Sequence, residues 1–349
     1  MATGKRLIPR PMASERSAIQ TLLDVLDEPA LIVRSGSIQR ANAAAKDLLG
    51  AGVEGSDVRL AIRNPKALSQ ILPGRVGDVH VTGIGGFGRP WTLSIRKLGD
   101  GRLLVRFIDK SAAAAAEKMR VDFVANASHE LRTPLSALLG YAETLADEDD
   151  LDESMRKKFG QTIRAEARRM LRIIEDLMGL SRIEADRFVA PTENVSLAEV
   201  VESSAEQLRT TATAAGTEIV VESDVELQAI LGDRAQIAQM IDNLLSNAIR
   251  YGSSQAGAPV RVKLDRADGS VRLSVEDSGQ GISPGHLPRL TERFYRIDAA
   301  RSRESGGTGL GLAIVKHIVE RHRGTLEIRS AVGEGTNVIV TLPMTRSGG

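Results

Sequence analysis

One histidine of five is set apart by its neighbours. His129 stands between Ser128 and Glu130, followed by Leu131, Arg132, Thr133 and Pro134. An imidazole is a nitrogen nucleophile that is largely neutral near pH 7. A carboxylate directly beside it can accept or orient the ring proton. Pro134 interrupts an otherwise helical pattern. It removes the hydrogen bond to the Glu130 carbonyl and predicts a kink there. A costly break next to a titratable pair points to chemistry. His317 and His322 are five residues apart on a predicted helix, a spacing that does not align two metal ligands. The chain has no cysteine, which excludes thiol nucleophiles, disulfides and cysteine-ligated metals.

Three clusters near the C-terminus suggest a phosphate-bearing ligand. Asp277 ends an apolar strand and is followed by Gly279 and Gly281, which allow close backbone approach. Gly306, Gly307, Thr308, Gly309, Leu310 and Gly311 run straight into a predicted helix, an arrangement that cradles phosphate. Asn243 and Asn247 lie four apart on one helix face and can offer amide oxygens to a hard cation. Arg250, on the neighbouring face, can meet phosphate, and Tyr251 follows it. By contrast, Gly83, Gly85 and Gly88 satisfy a dinucleotide pattern but precede an alternating strand, so they read as a hairpin turn.

The elements that must hold these residues fall into segments. Residues 1–16 carry Pro9, Pro11 and charges without periodicity, and are expected to be a disordered lead. Residues 17–109 read as a small α+β domain, with strands at Leu31–Val33 and Ile38–Arg40, an Asn42-capped helix over 43–49 and a hairpin around Gly99–Gly101. Residues 110–188 carry two amphipathic helices. One seam runs through Met119, Phe123, Ala127, Leu131, Leu135, Leu138, Ala142 and Leu145, the other through Phe159, Ile163, Ala167, Met170, Ile174, Leu177 and Ile183. Neither seam is satisfied alone, so a homodimeric four-helix bundle is expected. The acidic run 147–153 between them reads as a solvated turn. Residues 192–345 return to α/β texture, with hairpins at 260–275 and 326–340 and helices over 197–214, 234–251 and 311–321. With 46 Lys and Arg against 45 Asp and Glu, no global charge calls for nucleic acid. No apolar run approaches the ~18 residues of a membrane span, so a cytoplasmic protein is expected.

At these residues the chain resembles two-component sensor histidine kinases over about 110–345. Ser128–Pro134 is similar to the family's H box, Asn243–Tyr251 to the N box, Asp277–Gly281 to the G1 box, Phe294–Arg296 to the F box and Gly307–Gly311 to the G2 box. The resemblance implies a multidomain α+β protein. Its parts would be a dimerisation and histidine-phosphotransfer hairpin of HisKA type and an ATP-binding α/β sandwich of GHKL (Bergerat) type, also called HATPase_c. It further implies ATP and Mg²⁺ as cofactors, His129 as phosphoacceptor, Glu130 as candidate base, and Asp277 against the adenine amino group. Asn247 would hold Mg²⁺ with Asn243 nearby. Residues 295–308 would form a lid, with Arg296, Arg301 and Arg303 as phosphate contacts. Thr133 stands where relatives orient water for dephosphorylation of a response regulator, the implied protein partner. That partner would dock near Ala137, Tyr141 and Thr144. Residues 17–109 resemble a PAS sensor domain, and Ile62–Pro65 resembles phosphate-regulon sensor kinases, which usually have membrane helices upstream. A nucleotide-driven conformational ATPase of the same superfamily is the alternative. Such relatives place a glutamate base where this chain has Asn243, which favours transfer to His129. Arg250 departs from a usual lysine and keeps the charge.

Overall fold

The computed structural model describes residues 13–148, 151–186, 189–223, 229–252, 257–298 and 307–345. Its contacts divide the chain into two compact units, Met1–Asp122 and Phe123–Gly349.

In the first unit, helix α1 (Ala13–Asp24) precedes strands β1 (Ala30–Arg34) and β2 (Ser37–Ala41). Helices α2 (Ala43–Leu49), α3 (Val58–Ala61) and α4 (Pro65–Ile71) follow, then strands β3 (Gly77–Thr82), β4 (Pro90–Lys97) and β5 (Arg102–Asp109). The strands form one antiparallel sheet in the order β2-β1-β5-β4-β3. Residues 13–16, expected within a disordered lead, lie in α1, while 1–12 fall outside the described residues. Asn42 explains the local order around α2. Its Oδ1 accepts from the Ala45 N–H at 2.9 Å, and its Nδ2 donates to the carbonyls of Leu26 and Glu28 at 3.0 and 2.9 Å. Buried, it serves as helix cap and as tether for the preceding turn. Trp91 and Phe107 meet edge to face in the core, with ring centroids 6.2 Å apart. The glycine-rich stretch 83–89 joins β3 to β4, as the hairpin reading expected.

Helix α5 (Ser111–Asp147) begins in the first unit and ends in the second. It continues through Pro134 as one helix, so the proline does not divide the element. Helix α6 (Glu153–Ala185) starts at Asp152, whose carboxylate accepts from the Met155 N–H at 2.7 Å. Carboxylates at this end also suit the helix dipole. Part of the expected bundle seam is open in the single chain: Met119, Leu135 and Ile174 are exposed. The α6 positions that are covered are Arg169, Ile173, Leu180 and Ile183, of which Ile183 alone belongs to the expected seam. Leu180 and Ile183 are covered because they join the core of the C-terminal sheet domain.

That core is built by a short strand pair and a larger sheet. Strand β6 (Glu193–Val195) pairs with β8 (Ile230–Gly232). Strand β7 (Ile219–Ser223) is parallel to β9 (Val260–Ala267), which pairs antiparallel with β10 (Ser270–Asp277). Strands β11 (Thr325–Ala331) and β12 (Gly335–Pro343) complete the order β11-β12-β10-β9-β7. Val260, Val262 and Leu264 point inward while Arg261 and Lys263 face water, so one sheet face is covered. The cover is α7 (Leu197–Ala214), α8 (Arg234–Gly252) and α9 (Gly311–Arg321).

His322 ties the end of α9 to the start of α8. Its Nδ1–H donates to the Ile318 carbonyl at 2.7 Å, and its Nε2 accepts from the Asp233 N–H at 3.0 Å. Burial pushes its pKa below the ordinary histidine value, because the charged ring would lose both water and the Asp233 bond. The unfolded chain therefore binds the proton first. Stability from this contact is present above about pH 6.5 and declines as pH falls below it, by at most about 1.4 kcal/mol per pH unit. Urea midpoints at pH 7.5 and 5.5 should show this decline, and His322→Gln should flatten it.

Candidate nucleotide and phosphoacceptor site

A cleft in the C-terminal domain gathers most of the sequence-predicted ligand residues. Asn247, Tyr251, Asp277, Gly281, Arg296, Gly307, Thr308, Gly309 and Gly311 line it. Its apolar wall comes from Leu244, Ala248, Val275, Ile282, Ile328 and Val338, which suits a flat base. Asp277 sits at the end of β10. Burial raises its pKa, while the Gly279 N–H, 2.9 Å from Oδ1, partly offsets that by bonding the charged form. Small residues are needed around it. A Cβ on Gly279 would strike the Tyr251 carbonyl, and one on Gly281, at φ 67°, would strike the Ala331 carbonyl.

One end of the cleft is formed where Phe294 meets the turn before α9. Phe294, at φ 63°, donates its N–H to the Gly309 carbonyl at 2.8 Å. A Cβ on Gly309, at φ 73°, would come within 2.9 Å of the Phe294 backbone. The Thr308 hydroxyl caps the turn by accepting from the Leu310 N–H at 3.2 Å. Both asparagine amides reach the first residue of α9. A Cβ on Gly311 would lie 3.1 Å from Asn243 Oδ1 and 3.8 Å from Asn247 Nδ2. Phe294, Leu310, Gly279, Asn243 and Arg250 support or flank the cleft rather than line it. Arg250 lies over the Tyr251 ring, 6.0 Å from its centroid. Arg301, Arg303 and Gly306 lie outside the described residues.

His129 is exposed on α5, and the Thr133 hydroxyl donates to its backbone carbonyl at 3.3 Å. Glu130 Oε2 accepts from Arg296 Nη2 at 2.9 Å and from Arg169 Nη2 at 3.5 Å. Arg296 thus lines the cleft and touches the residue next to His129. Further bonds join hairpin and cleft. The Thr308 hydroxyl donates to Asp176 at 2.7 Å, and burial raises the Asp176 pKa. Arg293 pairs with Glu184 and lies over the Phe123 ring, which stacks 6.0 Å from Phe294.

Thr336, which the sequence did not mark, also lines the cleft, as do Tyr295, Gln280 and Asp298, which it marked only as members of the motif and loop ranges. Tyr295 is held by His286, whose Nδ1 lies 2.6 Å from its hydroxyl. The sequence did not mark Arg169, Asp176 and Glu184 either. Their signal is a charged residue within or beside an apolar helix stripe, as with Arg169 four before Ile173.

The comparisons with known proteins agree with this geometry. Residues 232–346 match the family described as histidine kinase-, DNA gyrase B- and HSP90-like ATPase. Residues 119–186 match the His Kinase A (phospho-acceptor) domain. The phosphate regulon sensor protein PhoR of Pseudomonas aeruginosa is 32% identical over 348 residues, covering 92% of this chain and 74% of that protein. The sensor-like histidine kinase SenX3 of Mycobacterium tuberculosis is 37% identical over 245 residues, 70% of this chain and 59% of that protein. A solved complex of the histidine kinase ThkA with the response regulator protein TrrA shares the fold, with TM-score 0.53 and 19% identity over 93% of this chain and 98% of that one. Among the described residues, no helix is long and apolar enough to cross a membrane. With its ATPase-type cleft, its phosphoacceptor-type hairpin and these relatives, the chain belongs to the two-component sensor histidine kinases.

Proposed function

We propose that the kinase transfers the γ-phosphoryl group of ATP to His129 and then to an aspartate of a separate response regulator. The observation that carries this reading is Arg296, which connects the cleft wall to Glu130 beside the exposed His129. In the first step a ring nitrogen of His129 attacks the γ-phosphorus. The N–P bond forms, the bond to the β-phosphate oxygen breaks, and ADP leaves with its electron pair. Glu130 takes the proton from the other ring nitrogen. Asp277 orients the base, and the turn at Gly307–Gly311 presents backbone N–H groups to the phosphates.

The amide pair fits Mg²⁺: Asn247 lines the cleft and Asn243 Oδ1 faces the first residue of α9, and each amide has a neutral hard oxygen to offer. Among the described residues no group of three or more acidic or histidine side chains could hold a metal by itself. The cation would therefore share its shell with the nucleotide phosphates and neutralise their charge. The second asparagine also bears on the alternative reading. Asn243 cannot serve as a base for water, so transfer is favoured over hydrolysis.

The division into a PAS-like sensor (17–109), a dimerisation and phosphotransfer hairpin (110–188) and a catalytic domain (192–345) belongs to the same proposal. It is supported by the separate core of the first sheet and by the exposed seam on α5 and α6. That seam, with Leu135 and Ile174 open and Leu139 and Leu171 exposed near it, suits a four-helix bundle with a second copy. Thr133, exposed one turn from His129, suits the dephosphorylating role, and Tyr141, half-buried with its ring 5.3 Å from that of Phe159, is a candidate receiver contact about three turns beyond His129 on α5. A direct test is transfer. Chain labelled by γ-labelled ATP, freed of nucleotide and mixed with candidate receiver domains, should pass its label to one of them. Label that stays on the chain with every receiver would count against this second step.

A further inference from the structure

Arg169 on α6 is buried, and nothing in the ATP cleft requires it. Its side chain is 7% exposed, and it faces two carboxylates, Glu130 of α5 at 3.5 Å and Glu166 of its own helix at 3.6 Å. Its Nε has no hydrogen-bond partner. A guanidinium withdrawn from water at this cost is held by what it pairs with. Across the hairpin, that partner is Glu130.

Glu130 has a second cation, Arg296, which is also 7% exposed and lines the cleft. The two arginines differ in what else they can do. Arg296 lines the cleft two residues after Phe294, which bonds to Gly309, and can turn to nucleotide phosphates. Arg169 belongs to a helix of the hairpin, one stripe position from Ile173. When Arg296 is drawn to the phosphates, Arg169 is the cation left facing Glu130 among the described residues.

We infer that Arg169 is a positioning residue for phosphoryl transfer, holding the Glu130 carboxylate in place beside His129 after Arg296 has turned to the nucleotide. This rests on the reading of His129 as acceptor and Glu130 as its base. The step itself is unchanged. The N–P bond forms as the bond to ADP breaks, and the ring proton passes to Glu130. Arg169 restricts where that carboxylate stands, so that the proton has an acceptor within reach as the ring becomes cationic.

The test is single-turnover labelling of the full chain at saturating ATP and Mg²⁺, with Arg169→Gln, Arg169→Lys, Glu130→Gln and the Arg169→Gln/Glu130→Gln pair. Base catalysis contributes about 10²–10⁴-fold, so misplacing the base should slow labelling by about tenfold or more. The ATP concentration for half-maximal rate should stay within about twofold, since Arg169 does not line the cleft. Arg169→Lys should recover most of the rate. The double variant should be no slower than Glu130→Gln alone, because both changes remove one function. If glutamine at 169 unfolds the chain, Arg169→Lys with and without Glu130→Gln carries the same comparison. Labelling of Arg169→Gln at the wild-type rate or faster, or losses that multiply in the double variant, would overturn the inference. Wild-type chain that labels nowhere, or not on His129, would instead overturn the reading beneath it.

Discussion

Asp277→Asn should weaken ATP binding by about 30–150-fold while leaving the melting temperature nearly unchanged. The substitution keeps shape and volume, so the packing beside Gly252 and Gly279 survives. What changes is polarity. Oδ1 already accepts from the Gly279 N–H and the Thr336 backbone also bonds the carboxylate, so the Asn oxygen is held by these donors and its NH₂ replaces the second carboxylate oxygen in the cleft wall. A donor then meets the exocyclic amino group of adenine, also a donor. Losing a hydrogen bond to a charged group and leaving two donors opposed costs about 2–3 kcal/mol. Titration with a fluorescent ATP analogue measures this. Affinity within threefold of wild type would show that adenine does not lie against Asp277.

His129→Gln should abolish protein labelling and leave ATP affinity intact. Glutamine fills similar space but its amide nitrogen is not a nucleophile, so no alternative N–P bond forms. His129 is exposed and outside the cleft, which separates chemistry from binding. The expected loss is the whole reaction, at least about 10³-fold, with nucleotide titration unchanged. Label retained in this variant would move the acceptor to another side chain.

Much of the fold was legible where local signals agree with tertiary packing. Helix α2 is bounded by Asn42 and Gly50, and α7 starts after Ser196, whose hydroxyl accepts from Glu199. Helix α9 follows directly on the glycine turn, so its start is fixed by the motif. The alternation in β9 and β10 gave their hairpin because one face is buried. What was not legible is non-local or short. The parallel pairing of β7 with β9 joins segments about forty residues apart, and no sequence period records it. Helices α3 and α4 are four and seven residues long and depend on the Asp57 and Asn64 caps.

The site shows the same division. Glycines that admit a backbone are visible because few other residues tolerate those angles, as at Gly281 and Gly309. Arg169, Asp176 and Glu184 were invisible because a charged residue on an amphipathic helix reads as solvated. Their partners, Glu130, Thr308 and Arg293, lie 39, 132 and 109 residues away. The same contacts shifted the buried stripe of α6. Of the apolar seam read from spacing, Leu135 and Ile174 stay exposed, while its Ile183 is covered within the chain together with Arg169, Ile173 and Leu180.

The γ-phosphoryl group should end on a nitrogen of His129. The most direct measurement incubates the full chain and Mg²⁺ with ATP labelled at either the γ- or the α-phosphate, then treats the protein with acid and with alkali. The expected result is γ-label only, lost in acid, kept in alkali and mapped by peptide analysis to His129. Label from the α-phosphate, acid-stable label, or steady phosphate release from an unlabelled chain would contradict it.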